Sequence, residues 1–587
     1  PAESEINAFL GDESPDRESR LIDRTLANPG HGERWGRHWL DLARFAESHG
    51  FEHDTDRPTA YPYRDFVIEA LNHDLSFATF VRWQIAGDEL APDQTQALRA
   101  TGFLACGVHS TQITANQAEK ERYDELDDIV GTIGTAFLGL TIGCARCHDH
   151  KFDPISQRDY YRMVANFTTT VRSEPRLPDP SNPAYTLATS RLKVPAEALA
   201  VGSWSVPLAL VSSAVAIEAV RGASPGNIKT LICTEGLPAL RLHTQGPDYY
   251  DKTFLLKRGD PNQKLGEASP GFLRVLMTAS TPTPENRWQA QPPPGWRTSY
   301  RRRALADWIT DTDRGAGSLL ARVIVNRLWQ HHFGRGLVAT PSDFGTQGER
   351  PTHPELLDWL ASELIRGGWR LKPIHALIVG SATYRQDGHI DPSKSKIDPD
   401  NRLYWHHPSR RLEAESIRDS MLASSGKLSR RMFGPGSLDE KQDRRSIYFT
   451  VKRSQLIPMM LLFDAPDALQ GQAIRSSTTI APQSLLLMNN PIVRNWAEAF
   501  ARRVMNNPGP ENTATTPRAD LERWITRAYR IALGRPPGPA DLDDSIAFIE
   551  SQCRSYSSDG ATRAPLTTAL ADFCQTLFAL NEFCFND

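Results

Sequence analysis

A chain of 587 residues is long for one apolar core, so two or three domains are expected. Its 40% hydrophobic and 23% charged content is that of an ordinary globular protein, and a net charge of -3 supplies no field for nucleic acid or an anionic membrane. The longest apolar run, Trp204 to Val220, is broken by Pro207 and Glu218, so no membrane span is expected.

The chain starts at Pro1 without a methionine or signal peptide, as a trimmed, mature protein would. Arg34 to Ser48 predicts a helix with Trp35, Trp39, Leu42, Phe45 and Ala46 on one stripe and Arg37, Asp41, Arg44 and Ser48 opposite. That polar side is either a solvated, ion-paired face or one wall of a site, with Asp41 its candidate catalytic group. Further helices are predicted from Tyr63 to about Asn72, from Ala78 to Ala86 and, longest, from Glu119 to Leu140.

The long helix runs into Cys144-Ala145-Arg146-Cys147-His148, the spacing of a c-type haem attachment sequence. Each thiol can add to one porphyrin vinyl group while the adjoining imidazole reaches the iron. Cys144, Cys147 and His148 are therefore the candidate sites for one covalent haem c, with His148 the metal ligand. His150 is too close in sequence to reach the other haem face; with Asp149, Lys151 and Asp153 it could bond a propionate or orient His148. Two other readings stay open: a zinc site from Cys144, Cys147, His148 and His150, and a redox CxxC. The remaining five cysteines are scattered, and buried thiols are expected.

From about Leu187 to Trp296 the texture turns to Pro, Gly and short apolar runs such as Thr230 to Cys233 and Thr253 to Leu256. The second run is followed by the turn signal Lys257 to Pro261, and Gln291 to Gly295 reads as a linker. Helical periodicity returns near Arg301, with helices predicted over Leu319 to Phe333, Leu356 to Leu364 and, capped by its first serine, Ser409 to Leu422. Arg411 and Glu415 on the last are the other candidate catalytic groups. The fold expected is mainly α: two helical regions packed together, residues 1–186 carrying haem and 297–587, with a small β-rich or irregular insert at 187–296.

The strings GERWGRHWLDLARFAESHG, DDIVGTIGTAFLGLTIGCARCHDHKFDPISQRDYY, ARVIVNRLWQHHFGRGLVATPSDFG, HPELLDWLA, RRLEAESIRDSM, LFDAPDA and STTIAPQSLLLMNN resemble the planctomycete cytochrome c-type domain followed by the planctomycete secreted domain. The resemblance covers about Gly32 to Asp587, with the insert weakly matched. It implies an exported helical protein, periplasmic or secreted, from bacteria equipped for polysaccharide breakdown, and often a further cytochrome domain as partner. Haem roles carry over only to Cys144, Cys147 and His148.

Two classes of function follow. One is a haem oxidoreductase or electron-transfer protein, working with a partner or on a substrate such as a carbohydrate; the other is a glycan-binding or glycan-cleaving module whose haem or metal is structural. A sixth iron ligand would come from His38, His353, His407 or Met488.

Overall fold

The computed structural model describes residues 3–51, 53–178, 227–235, 252–277, 285–294, 296, 298–505, 517–558 and 565–586. The run Trp204 to Val220 lies outside them. The fold is mainly α with small two-stranded sheets, its two helical regions packed together. Among the described residues no helix is long and apolar enough to cross a membrane.

The amino-terminal region contributes α1 (Gly30–Leu42), α2 (Tyr61–Asn72), α3 (Phe77–Leu90), α4 (Ala118–Ile133) and α5 (Gln157–Val164). Across the insert come α6 (Arg301–Thr310), α7 (Gly317–Phe333), α8 (Pro354–Arg366) and α9 (Leu371–Val379). Their apolar stripes meet in one core, where Trp39, Phe66, Phe103 and Phe137 share burial with Trp308, Val325, Leu360 and Ile374. Burying a side chain of this size is worth about 1.5–3 kcal/mol, so neither set could leave its stripe in water. Within this core, Gln84 Oε1 accepts from Trp39 Nε1 at 2.8 Å and from the Tyr63 hydroxyl at 2.7 Å.

A second core is built by α10 (Ala414–Ser425), α11 (Pro491–Met505), α12 (Arg518–Leu533), α13 (Pro539–Ser558) and α14 (Pro565–Ala579) around Ile417, Phe500, Ile525, Ile549 and Phe578.

Among the described residues, four antiparallel pairs complete the fold. Strands β1 (Val171–Ser173) and β2 (Arg176–Pro178) pair with β4 (Ile232–Thr234) and β3 (Asn227–Lys229), respectively. Strands β5 (Thr253–Leu256) and β6 (Lys264–Ala268) form a hairpin where the sequence predicts a strand and turn. Strand β7 (Arg410–Arg411) pairs with β8 (Phe585–Asn586) at the carboxy terminus.

Three helices depart from expectation. Helix α1 stops at Leu42, six residues early by the periodicity, because Arg44 turns back (φ 49°) so that its buried guanidinium pairs with the partly exposed Asp128. Helix α4 ends at Ile133 and passes into a π turn, Gly134–Leu138. Gly134 admits this turn: a Cβ there would stand 2.7 Å from Ile142 Cγ1 and 2.8 Å from the Leu140 carbonyl oxygen. The helix expected from Ser409 starts instead at Ala414, since Arg410 and Arg411 are drawn into pairing with β8.

Beside β1, His109 is partly buried near Arg172, and desolvation first, then that guanidinium, hold its imidazole down at about 3 from an ordinary 6.5. Unfolded, the same side chain gains a proton near 6.5, so stability present above that pH is lost as pH falls. His109→Gln is expected to shrink the difference in unfolding free energy between pH 7 and pH 5 by about 2 kcal/mol, measured by urea titration. An unchanged difference would show that His109 titrates normally.

Candidate functional site

Cys144 lies in a 3-10 turn, Ile142–Arg146, that Cys147 caps; Ile142 and Ala145 point into the core while Cys144, Cys147 and the following His148 are exposed. Arg146 anchors the turn. Its guanidinium pairs with Asp124 and Asp127 of α4, and its carbonyl accepts from Gln157 Nε2 at 2.9 Å and the Tyr161 hydroxyl at 3.0 Å. Gln157 Nε2 also donates to the Leu256 carbonyl, which brings the β5–β6 turn alongside. Gly259 in that turn (φ 75°) is the close approach, since a Cβ would meet Cys147 Sγ at 3.2 Å.

His148 Nδ1 lies 2.6 Å from the Asp149 carbonyl oxygen. A carbonyl only accepts, so Nδ1 carries the proton and Nε2 keeps a lone pair for a metal. The Asp149 carboxylate in turn accepts from the Gln157 N–H at 2.8 Å. The residues present therefore suit a covalent haem: two outward thiols on one short turn, with an imidazole whose tautomer is set for iron. His150 is turned inward. Its Nδ1 accepts from the Asp153 N–H at 2.9 Å, its backbone N–H reaches the Ile155 carbonyl, and Asp153 continues to the Thr346 N–H at 2.6 Å. The ring thus closes the 148–155 loop. All seven cysteines are free, and the five outside the motif are buried, as expected.

A second constellation lies between the helical regions. His38 and Asp41 of α1 face Gln330 and His331 of α7, the segment Ser409 to Glu413, and a strap from Phe463 to Thr479, around a cavity of about 400 Å³. Arg475 in the strap joins the groups that sequence had singled out: Nε donates to Asp41 Oδ2 at 2.6 Å, and its two Nη atoms reach Glu415 at 2.7 and 3.0 Å. Arg37 adds a bond to Asp41 at 2.9 Å. Burial pushes the Glu415 carboxyl up, but Arg475 and Arg37 outweigh it and leave it below the usual range, ionised. Arg411 opens onto the same cavity through Asp464 at 2.5 Å and lies over the Phe463 ring. The polar side of α1 is thus a buried wall.

Deeper in, the His38 and His331 rings stack with centroids 3.6 Å apart and 19° between planes. Burial holds both imidazoles neutral, His38 far below its ordinary value and His331 at about 3. Burial would raise Glu413, but Arg34 and Arg475 bring it down to about 2. Arg410 fixes the end of α7, donating to the His331 carbonyl at 3.1 Å and the His332 carbonyl at 2.6 Å. Gly334 (φ 84°) leaves room for that side chain, whose Cδ would lie 2.5 Å from a Cβ.

The other candidates for a sixth iron ligand have neighbours of their own: His353 lies beside Tyr404, His407 is buried against Phe333 and Tyr384, and Met488 is exposed. His331, Glu413 and Arg475 were not singled out from sequence. The adjacent pair His331-His332 on a predicted helix was the one available signal, because Arg475 sits in an aperiodic strap.

The chain is similar to two families. Residues 1–172 match the family described as PSCyt2, protein of unknown function (DUF1549), and residues 301–549 match PSD1, protein of unknown function (DUF1553). These fit the cytochrome-like and secreted domain pair suggested by the motifs. No curated protein and no solved structure matches. The cysteine motif lies wholly within the PSCyt2 stretch, whereas the cavity needs both: His38 and Asp41 from one, His331, Arg411, Glu413 and Arg475 from the other.

Proposed function

We propose that this is an exported c-type haem protein, an oxidoreductase or electron-transfer protein acting in the periplasm or outside the cell, in the service of polysaccharide breakdown. The observation that carries the reading is the turn bearing Cys144 and Cys147 outward, with His148 Nδ1 committed to the Asp149 carbonyl. The name of the PSCyt2 family agrees with it. A bound haem would supply one-electron chemistry, and attachment at an exposed turn leaves it within reach of a partner cytochrome domain. Arg146, Gln157 and Tyr161 hold the turn against α4 and α5, so the thiols and the imidazole keep one geometry.

A second reading, a glycan-binding or glycan-cleaving module, is favoured by the polar cavity lined by Asp41, Gln330, Arg411, Arg475, Ser476 and Ser477, whose size is that of a small-molecule site.

Expression of the full chain in a periplasm with haem-attachment machinery separates the two. One haem per chain is expected to survive denaturation and acid-acetone extraction, and to vanish in C144A/C147A; His148→Ala is expected to keep the thioether-bound haem while altering its absorption spectrum. Protein that stays haem-free in that host would overturn the haem reading. Glycan binding or cleavage undiminished in C144A/C147A would favour the module.

A further inference from the structure

We infer that His38, His331 and Glu413 form a binding site for a first-row divalent metal ion, separate from the cysteine motif. The inference does not rest on the haem reading. Among the described residues these three are the group of His, Cys, Asp and Glu side chains whose ligand atoms all lie within 4.8 Å of one another.

Three features make the cluster more than a chance grouping. First, His38 is 7% exposed and lines the cavity, yet its ring donates to and accepts from no described residue; Glu413 Oε1 stands 3.6 Å from Nδ1, too far for a hydrogen bond. The His331 ring is likewise without a hydrogen bond to any described residue. Second, the Glu413 carboxylate is divided in its duties. Oε2 is held by Arg34 and lies 4.0 Å from Arg475, while Oε1 faces the imidazole pair. Outer partners of this kind fix a ligating carboxylate and keep its second oxygen directed at the ion. Third, the cluster forms part of the cavity wall, with Asp41, Gln330 and Arg475 around it. Three protein ligands beside a polar cavity is the arrangement of sites where a metal also meets water or substrate.

Two imidazole nitrogens and one carboxylate oxygen suit Zn²⁺, Fe²⁺ or Co²⁺ better than Ca²⁺ or Mg²⁺, which prefer all-oxygen sets. Bonds of about 2.0–2.1 Å would put tetrahedral ligand atoms about 3.3 Å apart, so the cluster must tighten and the stacked rings tilt, within the reach of side-chain rotation.

The test uses the full chain as C144A/C147A, which removes both exposed thiols and any haem, with Zn²⁺ measured by equilibrium dialysis and Co²⁺ by absorption. One equivalent is expected, with visible bands of low-coordinate Co²⁺ and no thiolate-to-metal charge transfer. His331→Gln and Glu413→Gln, each added to that background, should lose binding. Arg34→Leu should keep the stoichiometry but weaken affinity by about tenfold or more, a split that a merely structural pair would not produce. No stoichiometric binding, or binding unchanged in both the His331 and Glu413 variants, would overturn the site. If metal-free unfolding curves show that one of those variants fails to fold, the other decides.

Discussion

Arg475→Leu is expected to destabilise the protein by about 3–5 kcal/mol at pH 8, because it removes one partner of a buried charge cluster and leaves Asp41 and Glu415 facing each other without it. The side chains of Asp41, Glu415 and Arg475 are 4, 12 and 10% exposed, so solvent cannot screen the loss as it would at the surface. Arg37 remains near both carboxylates, bonding Asp41 and lying 3.7 Å from Glu415, which keeps the effect from growing further. The loss should also depend on pH in a stated direction. Burial is the largest influence on Glu415 and raises its pKa; once Arg475 is gone that influence prevails, and the carboxyl escapes its penalty by taking a proton. Destabilisation measured by urea unfolding should therefore be smaller at pH 5.5 than at pH 8, and Glu415→Gln in the same chain should restore part of the stability at pH 8. A loss below about 1 kcal/mol, or one indifferent to pH, would mean that the cluster is wetter than its geometry indicates.

The same cluster shows what a sequence can and cannot disclose. Periodicity placed the apolar stripes of α4 and α7 correctly, because a stripe needs only local spacing and both are buried in the shared core. The turn signal at Lys257 to Pro261 was legible for the same reason, as was the cysteine turn, whose residues are contiguous. Asp41 and Glu415 carried a local sign, charge at helical spacing, but that sign reads alike on a solvated face and on a buried wall. What decides between them is Arg475, more than 400 residues from Asp41 and on a strap without regular structure. The His38, His331 and Glu413 group is hidden in the same way, one residue from each of three distant segments. Helix ends escaped for a related reason. The early stop of α1 depends on Asp128, a residue of α4, and the late start of α10 depends on pairing with the carboxy-terminal strand.

A second buried arginine lies where the two helical regions meet, and Arg302→Met is expected to cost about 3–5 kcal/mol. Arg302 stands on α6, beyond the insert, and its side chain is fully buried against the end of α3. It makes a two-pronged pair with Asp88 at 2.8 and 2.7 Å, donates to the Ile85 carbonyl at 3.1 Å and lies 3.1 Å from Glu89 Oε1. Glu89 is already strained towards its neutral form: burial raises its pKa to about 8 against the pull of Arg302. Methionine fills much of the space but leaves Asp88 buried without its cation, while Glu89, free to protonate, suffers less. Asp88→Asn added to Arg302→Met should therefore recover more stability than Glu89→Gln added to it, by unfolding in urea. The shared apolar core keeps α3 and α6 together in the single variant, so the transition should stay a single step. A variant in which 1–178 and 298–505 unfolded in two separate transitions would show that the arginine, and not the apolar core around Trp308 and Phe137, is what joins them.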